Sequence, residues 1–257
     1  RARGGRVGRV SGRPVTVVES GAVTTCVLNS PETGNMLDAA MLDALAAAIA
    51  QAKARGARVL VLRAEGPDFC LGRKGPKISG VPAPAVLNAE FARVQGANEL
   101  VEDFPGLTVS VVRGRALGAG SSLAGRFDLV MAARSATLGF TEVPHGIAPT
   151  VVASYFVHRL PRTALLDLLL TGREVTAEEA QRLGLVSRVV DDAALDDEVE
   201  ATVRTLAGYD PEVVRGVKSF IGTAATQHPR TAVKLGIAQL VNQMVDQAAR
   251  AGQEEPV

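Results

Sequence analysis

The residues able to do chemistry in this chain of 257 residues are few enough to take in turn. The run Gly114-Arg115-Ala116-Leu117-Gly118-Ala119-Gly120 follows an apolar stretch and leads into Ser121-Ser122-Leu123-Ala124. A strand that turns through small residues into a helix leaves the first backbone N–H groups of that helix unpaired, and such donors attract negative charge. A second segment, Phe69-Cys70-Leu71-Gly72-Arg73-Lys74, is another short apolar run that meets a glycine. Two such ends could aim two amides at one oxygen. Taken singly, each is more often a tight packing turn, and the spacing is not the G-x-G-x-x-G of dinucleotide sites. Metal chemistry finds no foothold, because His145, His158 and His228 are scattered, no H-x-x-x-H pair occurs, and Cys26 and Cys70 lack ligand spacing. The two cysteines lie in apolar contexts and are expected to be buried thiols in a reducing compartment. No G-x-S-x-G elbow supports a serine hydrolase. Chemistry is left to carboxylates, cations and backbone amides.

The elements that must position these groups follow an α/β pattern. Residues 14–18 and 23–28 read as a strand pair across Ser20-Gly21, and the turn cluster Ser30 to Asn35 precedes a helix to about Ala54 built on Met41, Leu45 and Ile49. Residues 58–62, 107–112 and 128–132 are near-continuous apolar strands, as expected when both faces of a parallel sheet are covered. The helical stretches 87–104 and 121–124 supply the crossovers. After about Pro149 the strands nearly vanish, and helices are expected over 151–160, 163–170, 176–183, 195–206, 211–225 and 231–249. Thr176 to Glu179 is a capping box, and Gly172 and Gly184 are helix stops. An acidic turn at Asp191-Asp192 sets off the last three helices. Leu235, Leu240, Val241 and Met244 form a stripe that must fold back on the core or meet another subunit.

Composition bounds the function. There are 28 Lys plus Arg against 27 Asp plus Glu and 47% hydrophobic residues, enough for a real core and too neutral for a general nucleic-acid binder. The exception is local: Arg1, Arg3, Arg6, Arg9 and Arg13 make residues 1–13 a basic end, expected to be flexible, with nucleic-acid contact a minor alternative. No apolar stretch approaches the roughly 20 residues of a spanning helix, and a soluble, cytoplasmic protein is expected.

Taken together, the segments resemble the crotonase family, also called the enoyl-CoA hydratase/isomerase superfamily. The resemblance rests on Leu28 to Asn35 (LNSPE-x-x-N), Phe69 to Gly72, Gly114 to Gly120, Asp128, Glu142 to Pro149 (E-V-x-x-G-I-x-P) and Leu170 to Val186, in family order. It implies a spiral of ββα units over residues 14–190 and a C-terminal helical trimerisation region over 191–257, giving a homotrimer or a dimer of trimers. The implied substrate is an acyl thioester, with coenzyme A or the phosphopantetheine of an acyl carrier protein as part of it and no separate cofactor. The family's oxyanion hole, two amides that stabilise a thioester enolate, falls on Arg73 and Ala119, within a substrate-binding frame of Gly72, Lys74, Gly118, Gly120 and His145. The residues from Gly75 to Glu90 would line the acyl pocket.

Two departures from the pattern stand out. A typical hydratase carries a Glu just after the glycine turn and another about twenty residues on; Ser122 stands at the first position and Glu142 at the second. Serine does not ionise near neutral pH. A single carboxylate suits a proton shuttle, so the resemblance points to double-bond isomerisation with Glu142 as base, hydration with water held by Ser122 being the alternative. Glu142 lies in an apolar segment, where desolvation would raise its pKa; the competing picture is a surface loop glutamate. Arg73-Lys74 replaces a small residue and Asp. These cations could pair with a carboxylate on the acyl group, which opens decarboxylation as a third reaction, contact a carrier phosphate, or be solvated. Ser30 stands where a phosphate-binding cation is common. His145, three residues past Glu142, has no shared family role, Ser121 and Ser122 are expected to cap the helix, and Tyr155 and His158 to lie at the rim. A catalytically silent scaffold is the non-enzyme alternative.

Overall fold

The computed structural model describes residues 13–75 and 80–254. The basic end expected over residues 1–13 therefore lies, apart from Arg13, outside the described residues. Strands β1 (Val15–Ser20) and β2 (Val23–Leu28) form the expected antiparallel pair, and helix α1 (Ala39–Ala54) follows. Its start is set by Asp38, whose carboxylate accepts the Met41 N–H at 2.9 Å, and its buried face of Met41, Leu42, Leu45, Ile49 and Ala52 packs on the core. Next come β3 (Val59–Ala64), α2 (Pro84–Glu102), β4 (Leu107–Val112), β5 (Arg115–Leu117), α3 (Ala119–Ala124), β6 (Leu129–Ala133) and β7 (Thr137–Gly139). Beyond these lie α4 (Thr150–Phe156), α5 (Arg162–Thr171), β8 (Glu174–Thr176), α6 (Ala177–Leu183), β9 (Arg188–Val190), α7 (Leu195–Ala207), α8 (Pro211–Ala224) and α9 (Pro229–Glu254).

The main sheet has the order β1-β2-β3-β4-β6-β9, parallel throughout except for the first pair. Val59, Leu60, Val61 and Leu62 are all buried, as their unbroken apolar run requires. A second, smaller sheet runs β5-β7-β8. Thr176 accepts the Glu179 N–H, and Gly172 and Gly184 end their helices at φ 63° and 88°. The region after Pro149 is less purely helical than expected: β8 and β9 are strands of three residues each, too short to show a period, and α4 stops at Phe156.

By its internal packing the chain divides after Ala207, not at the acidic turn, because α7 buries Leu195, Val199 and Val203 in the core of the first unit. The second unit is the α8–α9 pair, whose Ile237, Leu240, Val241 and Met244 are exposed. Both cysteines are buried in the first unit as expected, and burial pushes each thiol up to about 12.

Candidate active site

Three extended segments end side by side. Segment 70–73 is held on one flank by the parallel bridge Cys70–Ala116 and on the other by Leu37–Arg73. Leu117 N–H donates to Cys70 O at 2.9 Å and a Cβ at Gly72 would lie 3.4 Å from Leu117 O, so the residues that lead into Arg73 run beside those that lead into Ala119. On the far side of β5 runs β7, with Leu117 opposite Gly139 and Gly118 N–H donating to Gly139 O at 2.8 Å. Residues 70–73, 115–119 and 137–142 thus reach their carboxyl ends together, the place where parallel α/β units present their sites.

Peptide geometry fixes where two amides point. Gly72 O accepts the Leu37 N–H at 2.8 Å, so across the planar trans peptide the Arg73 N–H faces the opposite way, away from Leu37. Gly118 O accepts the Ser122 N–H at 3.0 Å, so the Ala119 N–H faces out of the helix start. Among the described residues neither amide has an acceptor. The turn between them demands glycine twice. Gly118 has φ 53° and ψ −121°, a conformation an L side chain rarely adopts, and a Cβ at Gly120 would lie 2.3 Å from Cys70 O.

Glu142 completes the group. A methyl at Gly118 would stand 3.1 Å from its Oε1, so the carboxylate lies over the residue preceding Ala119. Its Oε2 is buried and, among the described residues, unpartnered. Burial raises its pKa above the ordinary glutamate value, offset in part by its own backbone N–H and by the charge of His145. A buried oxygen without a donor costs about 1–3 kcal/mol. Glu142 is half-buried, where a surface loop glutamate would face solvent.

The remaining candidates separate. Ser121 does not cap α3: its hydroxyl donates to Ala116 O and accepts the Gly139 N–H at 3.1 Å, stitching β5 to β7. Ser122 is buried and its hydroxyl bonds to no described residue, so capping fails there too. His145 sits in a 3-10 turn, exposed, with Nδ1–H donating to Thr141 O at 2.6 Å, and contributes to Glu142 through charge. Gly72 is buried at φ 117° beneath Leu117 O, whereas Lys74 is exposed, its backbone N–H spent on Leu37 O. The Arg73 guanidinium stacks on Phe91 of α2 with 4.9 Å between its Cζ and the ring centroid. Tyr155 is half-buried between the guanidiniums of Arg126 and Arg159, and His158 is exposed. Ser30 spends its N–H on Asn35 Oδ1.

Asn35 has a role that no spacing announced. Fully buried at φ 53°, it accepts from Ser30 N–H at 2.8 Å and donates to Glu65 O and Asp68 O at 2.8 and 3.0 Å. It clamps the turn before α1 to the loop that delivers Phe69 to Arg73. Its signals in the sequence were its place at the end of the Leu28 to Asn35 stretch and after Gly34, where asparagine tolerates the left-handed region.

The family pattern described as Enoyl-CoA hydratase/isomerase matches residues 19–254. This chain belongs to the enoyl-CoA hydratase/isomerase family. A Thermus thermophilus relative provisionally named an enoyl-CoA hydratase is 33% identical over 210 residues, covering 79% of this chain and 82% of the relative. The solved enoyl-CoA hydratase of Mycobacterium smegmatis superposes with a TM-score of 0.85 at 27% identity, over 95% of this chain and 98% of that one. A Thermobifida fusca YX protein solved in complex with CoA matches at 0.82 and 27% identity, over 92% and 95% of the two chains. This family member is thus a mixed α/β protein of the crotonase fold, as the resemblance implied, and an acyl-CoA-processing type of enzyme.

Proposed function

We propose that this family member moves a double bond within an enoyl thioester by a proton shift, with Glu142 as the single base. The thioester oxygen is held by the Arg73 and Ala119 amides. Glu142 removes a proton from carbon, the electron pair passes into the thioester carbonyl as an enolate, and the carboxylic acid, after its proton exchanges with water, delivers a proton two carbons away. No atom is gained or lost. The observation that carries this reading is the buried, unpartnered Glu142 Oε2 lying against the turn that presents Ala119. Donors fixed beforehand in a water-poor site stabilise developing charge by several kcal/mol, on the order of 3 per donor, and a base with a raised pKa works near neutrality. The partner thioester is of coenzyme A, in keeping with the CoA bound by the Thermobifida relative. An acyl-carrier thioester would present the same arm.

Hydration is the second reading, favoured by the names of the relatives and by the Ser122 hydroxyl, which is free to hold a water. Incubation with 2-enoyl and 3-enoyl thioesters in deuterated water, followed by mass spectrometry, separates the two. Isomerisation incorporates deuterium without adding water, and hydration adds the mass of a water. Glu142→Gln stops either one; turnover that survives it defeats both. The exposed apolar stripe of α9 is assigned to contact between copies in a homotrimer or dimer of trimers, which light scattering reads directly; a monomer at micromolar concentration would refute it.

A further inference from the structure

The side chain of Arg73 is a feature that amide chemistry leaves unused. Its guanidinium Cζ lies 4.9 Å from the centroid of the Phe91 ring, and its nitrogens run close over Gly75, where a Cβ would meet one at 2.8 Å. Among the described residues no carboxylate pairs with it. Asp68, the carboxylate nearest in sequence, pairs with Arg115 at 3.1 Å, and Glu90, the neighbour of Phe91, is taken by Arg93 at 3.1 Å, which also holds Asp43 at 2.8 Å. A guanidinium that stacks its face on an aromatic ring keeps its in-plane N–H fork outward. The support is apolar: the first half of α2 carries Leu87, Phe91 and Val94 along one side, with Phe91 itself 41% exposed. A half-buried, unpaired cation beside an apolar wall can receive an anion, and a fork matches a carboxylate bidentately.

We propose that Arg73 is a specificity residue that recognises a second carboxylate on the acyl group, so that the substrate class is the mono-thioester of a short dicarboxylic acid. The inference rests on the assignment of the Arg73 amide to the thioester oxygen. That amide and the guanidinium belong to one residue, six bonds of about 1.5 Å apart, so Cζ lies within ~7 Å of the amide nitrogen and, with a hydrogen bond of about 3 Å at each end, the recognised group lies within ~13 Å of the oxyanion position. A coenzyme A phosphate, at the far end of the pantetheine arm, is too distant from the thioester to be the partner. A carboxylate at the end of a chain of about five carbons fits that reach.

The test is a ratio of affinities that does not depend on turnover. Glutaryl-CoA and hexanoyl-CoA have the same length and identical phosphates, so their Kd ratio, read by calorimetry on the full chain, reports the terminal carboxylate alone. The expected result is a 10- to 100-fold preference for glutaryl-CoA, the range of a charge-assisted hydrogen bond. Arg73→Met should bring the ratio to about 1, and Arg73→Lys, which keeps the charge but not the fork, should hold an intermediate value. Equal affinities in the wild type, a preference for hexanoyl-CoA, or a preference that persists in Arg73→Met overturns the proposal. Exchange of glutaconyl-CoA and 2-hexenoyl-CoA protons against deuterium keeps the two readings apart. Exchange of both that depends on Glu142 but shows no glutaryl preference in binding refutes only the dicarboxylate; a glutaryl preference without Glu142-dependent exchange refutes only the isomerase.

Discussion

Gly120→Ala is the most direct probe of the distance between the two amides. The added Cβ would lie 2.3 Å from Cys70 O, 2.8 Å from Cys70 Cβ and 2.9 Å from its Sγ. Because Cβ contacts under 3.0 Å do not occur, the helix start and segment 70–73 must separate by at least 0.7 Å, the difference between 3.0 and 2.3. The obstructing atom is the backbone carbonyl of Cys70, at the bridge that joins the segment leading to Arg73 with the strand leading to Ala119, so the shift passes into the spacing of the two N–H groups. A misplacement of about 1 Å costs roughly 100-fold in rate, which puts the expected loss in proton exchange at about 30- to 100-fold. Overpacking costs about 1–3 kcal/mol, equivalent to a Tm lower by about 2–12 °C in a chain of this size. The assay is the initial rate of deuterium incorporation into an enoyl thioester at 25 °C, beside a thermal melt. Gly222→Ala in α8, where a Cβ meets nothing within 4 Å, is the matched control and should gain up to about 1 kcal/mol. A folded Gly120→Ala protein that exchanges within threefold of wild type would refute the assignment of these two amides.

Glu142→Gln should lower exchange by about 100- to 10,000-fold. The same variant also tests the pKa. A carboxyl whose pKa is raised in the folded state binds its proton more tightly there than in the unfolded chain, so its contribution is present below the unfolded value and lost as pH rises through the folded one. The Tm of Glu142→Gln should therefore gain on wild type as pH rises from 4 toward 8; a constant difference would refute the raised pKa. Wild-type exchange should fall in acid with its midpoint above the ordinary glutamate value, and a midpoint at or below that value would contradict the desolvation. Asn35→Ala breaks three hydrogen bonds in a buried site and should cost about 2–4 kcal/mol by urea titration, with exchange lost in parallel. Cys26 and Cys70, with thiols pushed up to about 12 by burial, should resist maleimide in the native protein at pH 7 and react on unfolding.

The apolar strands of the main sheet and the capped helices were readable because each leaves a periodic mark: four buried residues in β3, a Thr176 to Glu179 cap, a glycine at a helix end. The small sheet was not. β5, β7 and β8 have three residues each, and their pairing depends on partners 22 or more positions away, which no local pattern encodes. The site divides in the same way. The glycine turn announced its unpaired amides, but a carboxylate in a loop looks like any surface glutamate until burial and an unpartnered oxygen distinguish it, so Glu142 came from the family resemblance alone. Ser121 read as a cap because serine before a helix usually is one. Its actual partners, Ala116 O and Gly139 N–H, belong to strands that only the tertiary fold brings together.

The near-zero net charge of the chain hides an arrangement that electrostatics would normally erase. Arg73 and Glu142 flank the same pair of amides, yet they form no ion pair with each other. An exposed pair would be worth only about 0–1 kcal/mol, so solvent-facing loops lose little by leaving charges apart, but Glu142 Oε2 is buried and an unpartnered charge there is expensive. The fold holds the two apart by different means: a glycine that lets the carboxylate approach the backbone, and an aromatic ring that holds the guanidinium aside. If the substrate brings both a carbon acid for the one and a carboxylate for the other, the binding that satisfies Arg73 also sets the acyl chain in register with Glu142. Affinity and positioning would then depend on a single residue, and the loss of the Arg73 side chain should lower kcat as well as raise KM for a dicarboxylic thioester. A change confined to KM would mean that the cation recruits the substrate without orienting it.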